Sequence, residues 1–246
     1  MLLRGIEQLR RLTRETKIEA RQNYKKAIDK LPGFSRAYAN EALSQAIDIE
    51  FGWGEITEGK YAVAFEYADK ALSLDDTLEQ VHFAFSMMYL VNKEYDKAIE
   101  SSRRSITLNP NYADGYAQYA QVLSYDGRQE EALEKLSKAK ELNPRYAFYY
   151  TWIEGRAHEL LGNLEQAENL YLEVIERNAH FPGAHLTLAS LYGNLGRIED
   201  AQWEAAEVLS LLPDISLRKE AENTLYRMQK HRDAYINGLR KAGIPE

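Results

Sequence analysis

The sequence predicts an all-α solenoid, a right-handed superhelix of helix–turn–helix repeats closed by C-terminal capping helices. Three observations carry that reading. Ala64, Ala98, Ala132, Ala167 and Ala201 follow one another at 34, 34, 35 and 34 residues. Pro32, Pro110, Pro144 and Pro213 keep the same beat, with Asp76 and Ala179 in the equivalent places. Gly59, Gly127, Gly162 and Gly196 fall between the paired helices that this period implies. Proline lacks an N–H and clashes with the preceding turn, so each of those four prolines closes a second helix. Pro182 sits at a helix start, where its fixed φ is an advantage.

The elements follow in order. Repeats occupy about residues 1–34, 35–78, 79–112, 113–147, 148–181 and 182–215, with a cap at 216–246, and the unbroken period makes residues 1–246 a single domain. The first repeat is degenerate in its leading helix but keeps Ala20, Tyr24, Ala27 and Pro32. The second carries ten extra residues, because Ala20 to Ala64 spans 44 rather than 34. We assign the surplus to the stretch around Phe51-Gly-Trp-Gly-Glu55, where the leading helix runs long before a glycine-marked turn. Beyond Pro213, Leu217, Ala221, Leu225 and Met228 share one helical face, and Tyr235, Leu239 and Ala242 another. Those two segments read as a cap over the apolar end of the stack.

In the cleanest copy, residues 113–147, Tyr116, Tyr119, Ala120 and Leu123 are followed by Gly127, Ala132, Leu136, Ala139 and Pro144. This spacing resembles the helix–turn–helix unit of tetratricopeptide (TPR) proteins. The resemblance implies that leading helices line a concave groove that binds protein or extended peptide. Carried over residue by residue, the groove positions of the third repeat are Phe83, Met87 and Leu90. The fourth repeat gives Asp114, Gln118, Gln121 and Tyr125, and the fifth Tyr149, Trp152, Arg156 and Glu159. The sixth is small and polar, with Gly183, Thr187, Ser190 and Asn194. Aromatic and arginine side chains dominate binding energy at interfaces, and Gln and Asn can hydrogen-bond a peptide backbone. Ligand binding is therefore expected to centre on Tyr125, Tyr149, Trp152 and Arg156. Tyr125, Tyr149 and Arg156 are read as open in the groove, with Arg156 meeting an acidic side chain or C-terminal carboxylate. Phe83 and Trp152 are equally readable as packing between leading helices. The two-carboxylate clamp of chaperone-binding TPR domains is absent, because its slots hold Gly5, Leu9, Asn40, Gln80 and Ala84.

Charge is unevenly placed. Residues 1–26 contain Arg4, Arg10, Arg11, Arg14, Lys17, Arg21, Lys25 and Lys26 against Glu7, Glu15 and Glu19, whereas the whole chain carries a net charge of −7. This basic first repeat reads as a solvated face or as a contact for an acidic neighbour. The acidic remainder would repel phosphates, so nucleic acid is not expected. No apolar run reaches the roughly 20 residues needed to span a bilayer, and no charged-then-apolar leader opens the chain. Neither membrane association nor export is expected, which leaves the cytoplasm.

Nothing in the sequence points to catalysis, a cofactor or a metal. Phosphate-binding glycine loops, dinucleotide fingerprints and paired-histidine zinc helices are missing, and there is no cysteine. His82, His158, His180, His185 and His231 are scattered. His180 and His185 bracket a Phe-Pro-Gly-Ala turn without a third ligand, which fits a repeat junction better than zinc.

A second resemblance is more specific. It rests on Leu-Arg-Gly…Leu-Arg-Arg-Leu-Thr-Arg-Glu (3–15), Ser-Arg-Ala-Tyr-Ala (35–39), Phe-Gly-Trp (51–53) and Lys-Ala-Leu-Ser-Leu-Asp-Asp (70–76). Leu-Asn-Pro-Arg-Tyr (142–146), Ser-Leu-Arg (216–218) and the tail Gly-Leu-Arg-Lys-Ala-Gly-Ile-Pro-Glu (238–246) complete it. Together they resemble the C-terminal TPR region of bacterial class III adenylate/guanylate cyclases and related signalling proteins. That resemblance implies a regulatory module for an output domain whose catalytic residues are not in this sequence. The first expectation is thus a non-catalytic binding scaffold, and the alternative is a regulatory or sensory module.

Overall fold

The computed structural model describes residues 1–53 and 58–246, which form fourteen α-helices with no strand among the described residues. The backbone groups into two compact units, residues 1–122 with 135–145, and residues 123–134 with 146–246. The first unit holds α1 (Leu2–Leu9), α2 (Arg14–Lys30), α3 (Ser35–Glu50), α4 (Glu58–Leu74), α5 (Glu79–Val91) and α6 (Tyr95–Leu108). Two helices, α7 (Ala113–Asp126) and α8 (Gln129–Leu142), have residues in both units. The second unit holds α9 (Phe148–Leu160), α10 (Leu164–Arg177), α11 (Pro182–Leu195), α12 (Ile198–Leu211), α13 (Leu217–Asn223) and α14 (Gln229–Lys241).

The period read from the sequence is a packing period. The five second-helix alanines, Ala64 to Ala201, are each at most 1% exposed. Only a methyl group fits where paired helices cross so closely. The second helices stop where the prolines require: α2 ends at Lys30, α6 at Leu108, α8 at Leu142 and α12 at Leu211.

The turn chemistry repeats as well. Gly127, Gly162 and Gly196 hold φ of +101°, +85° and +76°, and in each turn the following N–H reaches back to a carbonyl five residues earlier. These bonds, Arg128 N to Leu123 O, Asn163 N to His158 O and Arg197 N to Tyr192 O, are all 2.9 Å. This is the Schellman closure, which satisfies orphan carbonyls at a helix end. In the third repeat the same geometry is forced on a side-chain-bearing residue. Lys93 has φ +60°, with Glu94 N bonded to Tyr89 O at 2.8 Å.

Two expectations need correction. Gly59 lies inside α4 rather than in a turn, and the left-handed position after α3 belongs to Gly52, at φ +62°. The surplus of the second repeat is shared between the two places. Gly52 follows Ala20 by 32 residues, against 29 from Ala98 to Gly127, so α3 is lengthened by about one turn. The rest lies between Gly52 and Ala64, and there Gly54 and Glu55 fall outside the described residues.

Within the first unit α3 is buried along nearly its whole length, between α2, α4 and α5. Its polar residues are paired there. Lys17 Nζ lies 2.5 Å from Asp48 Oδ1, and Arg21 Nε donates to Glu41 Oε1 at 2.8 Å. Arg10, after α1, reaches Asp114 on α7 at 2.7 Å. Lys17, Arg21 and Arg10 thus find acidic neighbours elsewhere in this chain, and Arg11 pairs with Glu7 at 3.6 Å, so that patch is not wholly a solvated face. A cavity of about 280 Å³ beside them is lined by Lys17, Arg21, Lys25, Glu41 and Tyr67.

Candidate functional site

The candidate site residues of the first unit are largely consumed by internal packing. Met87 and Leu90 are buried. Half-buried Phe83 meets Tyr112 edge to face at 5.7 Å. Gln118 donates to Ser86 Oγ at 3.4 Å, and Gln121 to Glu50 Oε1 at 2.6 Å. The expectation that these two amides are free to read a peptide backbone is corrected: both bind neighbouring leading helices. Asp114 is engaged by Arg10.

In the second unit Tyr125, Trp152 and Arg156 converge. Trp152 and Arg156 lie four residues apart on α9 and so share a face. The Arg156 guanidinium is sandwiched between Tyr125 and Trp152, 3.8 and 4.3 Å from the ring centroids. A desolvated cation over aromatic faces gains about 2 kcal/mol or more from the ring quadrupoles. Trp152 in turn stands edge-on to Phe181 at 5.1 Å. Tyr149 is set apart from this cluster, half-buried against Phe148 and Tyr150. Nearby, the Tyr171 hydroxyl donates to Glu159 at 2.7 Å. Burial pushes the Glu159 carboxyl up to about 7, opposed by that hydrogen bond and by the Arg156 charge.

This cluster is covered, against expectation. Arg156 is 1% exposed and Tyr125 7%. The covering group is the chain's own C-terminal segment. From Thr224 (φ −53°, ψ 135°) to Met228 (φ −81°, ψ 128°) the backbone leaves the helix between α13 and α14. Leu, Arg and Met are good helix formers, so propensity does not cause the break; tertiary docking overrides it. The Arg227 N–H donates to the Tyr125 carbonyl at 2.9 Å, and its guanidinium donates to Asp126 Oδ1 at 2.7 Å. Tyr226 stands edge-on to Tyr125 at 5.3 Å and is buried. The Arg232 guanidinium holds the carbonyls of Tyr226 and Arg227 at 2.8 and 2.9 Å.

Beyond it, α14 lies on α11 and only marginally on α12. The small residues of the sixth leading helix allow this. A Cβ at Gly238 would lie 2.2 Å from the Ser190 carbonyl oxygen, and one at Gly193 2.3 Å from the Gly238 carbonyl oxygen. Ser190 Oγ donates to the Tyr235 carbonyl at 3.0 Å and Asn194 Nδ2 to the Ala234 carbonyl at 2.9 Å. Thr187 turns back onto its own helix, to the carbonyls of Gly183 and Ala184. The expected two-helix end cap is therefore corrected. Leu225 and Met228 are not on a helical face, and α14 covers the leading-helix side of α11. The exposed Trp203 on α12 agrees, at 59% exposure.

The residues that sequence reasoning missed are Asp126, Tyr226, Arg227 and the Gly193–Gly238 pair. The available signal was the small-residue stripe on α11, which marks a close helix crossing.

His185 sits near the start of α11, between Glu204 Oε2 at 2.6 Å and the Ala179 carbonyl at 3.0 Å. Burial works against its charge, but the two acceptors outweigh this and its pKa is raised. It is a structural junction residue, as the sequence suggested. Among the described residues no group of three or more His, Cys, Asp or Glu could hold a metal ion. No described helix is long and apolar enough to cross a membrane.

Residues 79–112 match the family model of the tetratricopeptide repeat. No curated protein matches the chain. A thermophilic TPR protein from Thermus thermophilus is similar in structure, with a TM-score of 0.60 and 22% identity over 75% of this chain and 96% of that one. PilW, a widely conserved type IV pilus biogenesis factor, gives 0.58 and 20% over 83% and 88%. A tetratricopeptide repeat protein from Parabacteroides merdae gives 0.55 and 16% over 94% and 88%. At these identities the likeness is one of fold. Taken with the recurring turns and the buried alanines, it makes this an all-α chain of TPR fold, with residues 79–112 matched to the repeat in sequence.

Proposed function

We propose that residues 1–246 form one non-catalytic scaffold domain that binds protein or peptide through its leading-helix faces. The observation that carries this reading is the occupancy of such a face by a peptide segment of the chain itself. Side chains and carbonyls of α7 and α11 there hold the backbone of another segment, which is the chemistry of peptide capture. Tyr149, half-buried against Phe148 and Tyr150, is the candidate anchor of the second unit that is partly open to a partner. Affinity capture with the purified chain and with a Tyr149→Ala variant tests the proposal. A partner retained by the first and lost by the second, with helicity unchanged, supports it. A partner indifferent to Tyr149→Ala but lost on Lys25→Glu and Lys26→Glu would move binding to the basic first repeat.

A second reading, regulation of an output domain such as a nucleotide cyclase, draws on the cyclase-associated resemblance and on one observation. The tail 238–246, the most distinctive part of that resemblance, belongs to the segment that covers the binding face. Cyclase activity that changes on adding the purified chain to such an output domain would favour it.

A further inference from the structure

The segment Thr224–Met228 differs from an ordinary helix connection. It is non-helical and bends at Arg227 and Met228, it carries two buried apolar side chains, Leu225 and Tyr226, and its backbone is held from both sides. The face beneath it offers three fixed features. The Tyr125 ring receives an aromatic edge, the Tyr125 carbonyl accepts a backbone N–H, and the Asp126 carboxylate accepts a guanidinium. Gly127, with no side chain, leaves room for Met228, whose Sδ would lie 2.8 Å from a Cβ there. Arg156, expected to meet a partner's carboxylate, is instead enclosed between two rings, and the carboxylate that pairs with the segment's own guanidinium is that of Asp126.

Resting on the scaffold reading, we infer that residues 224–228 are an intramolecular ligand, and that this face selects extended peptides carrying an aromatic residue followed by arginine. The chain's own copy competes with any partner, and a partner binds when that copy is displaced. A tethered copy acts at millimolar effective concentration. A free peptide of the same sequence therefore binds the native chain weakly and a chain with a weakened tether tightly. The ligand is basic and aromatic, not acidic.

The test uses a fluorescein-labelled peptide of residues 222–230, a scrambled control, and fluorescence polarisation on full-length protein. Arg227→Ala is the first variant, because its side chain is 46% exposed and its loss leaves no cavity. Tyr226→Ala combined with Arg227→Ala is the second. The peptide should bind each folded variant at least tenfold tighter than it binds wild type. Asp126→Asn added to the variant should cost about tenfold. Equal weak binding to wild type and to a variant with intact circular dichroism overturns the inference, as does equal binding of the scrambled peptide. If this peptide fails while a captured partner depends on Tyr149, the scaffold reading stands and this inference falls. If the peptide binds as expected and no captured partner depends on Tyr149, the reverse holds.

Discussion

Gly238 lies in the interior of α14, and its replacement by alanine sets two calculable effects against each other. In an exposed helix, Gly→Ala stabilises by about 1 kcal/mol through propensity. Here the added Cβ would lie 2.2 Å from the Ser190 carbonyl oxygen, 2.6 Å from Ser190 Oγ and 2.8 Å from Asn194 Nδ2. The nearest of these is backbone and cannot swing away. Reaching ordinary contact requires α14 and α11 to separate by roughly 1 Å, and overpacking of this kind costs typically 1–3 kcal/mol, occasionally more. Separation also strains the hydrogen bonds from Ser190 and Asn194 to α14, each worth about 1 kcal/mol. The clash outweighs propensity, and the net expectation is a destabilisation of about 1–3 kcal/mol. In a chain of this size that lowers Tm by roughly 2–4 °C per kcal/mol. Guanidinium titration followed by circular dichroism measures it. Gly193→Ala should behave alike, because its Cβ would meet the Gly238 carbonyl oxygen at 2.3 Å. A Gly238→Ala protein as stable as wild type, or more so, would refute the docking of α14.

Lys93→Gly should stabilise the chain by about 0.5–1 kcal/mol in the same titration. A left-handed non-glycine residue costs roughly 1–2 kcal/mol, and glycine returns part of that as backbone entropy. Raising the pH should lower the melting temperature. The Glu159 carboxyl, at about 7 when folded against 4.5 ordinarily, binds its proton more tightly in the folded state. Its stabilisation is complete below about pH 4.5 and is lost as pH rises through 7, amounting to about 3 kcal/mol at 1.36 kcal/mol per unit. His185, also raised, acts in the same direction from its ordinary 6.5 upward. Glu159→Gln should flatten the lower part of that curve in pH-dependent calorimetry, and an unchanged curve would sink the assignment. Removing residues 225–246 should uncover Tyr125, Trp152 and Arg156, giving aggregation or a clearly lowered Tm by light scattering and calorimetry. A stable, monomeric truncation would mark the segment as a free linker.

The fold was legible because its determinants are local and repeated. An alanine every 34 or 35 residues from Ala64 to Ala201, a proline after four of the second helices and a left-handed glycine at Gly52, Gly127, Gly162 and Gly196 all act within a few residues of where they stand. Lys93 shows the limit of such reading, since its turn is dictated by the repeat and not by its own side chain. Of the candidate site, the proximity of Tyr125, Trp152 and Arg156 was legible and their burial was not. Tyr125, Trp152 and Arg156 do converge, because their spacing on adjacent leading helices fixes their direction. Their burial depends on a segment 100 residues further along the chain from Tyr125, and that pairing leaves almost no local trace. Leu225 and Met228 even fit a helical stripe that they do not form. What the sequence did contain was the small stripe of Gly183, Thr187, Ser190 and Asn194, with Gly193 beside it. We read it as a polar groove floor; physically it is the room that a closely crossing helix needs, and Gly238 is its counterpart.

The central claim is that the C-terminal segment occupies the leading-helix face of the second unit. Asn237 Nδ2 donates to Asn194 Oδ1 at 3.4 Å across the α11–α14 contact, and the chain contains no cysteine of its own. Asn194→Cys with Asn237→Cys in the full-length protein, under mild oxidation at low concentration, therefore reports the contact directly. We expect rapid intramolecular disulfide formation, seen as a faster-migrating monomer on a non-reducing gel, with the circular dichroism of wild type. Persistent free thiols, or disulfide-linked dimers in place of the cross-linked monomer, would contradict the account.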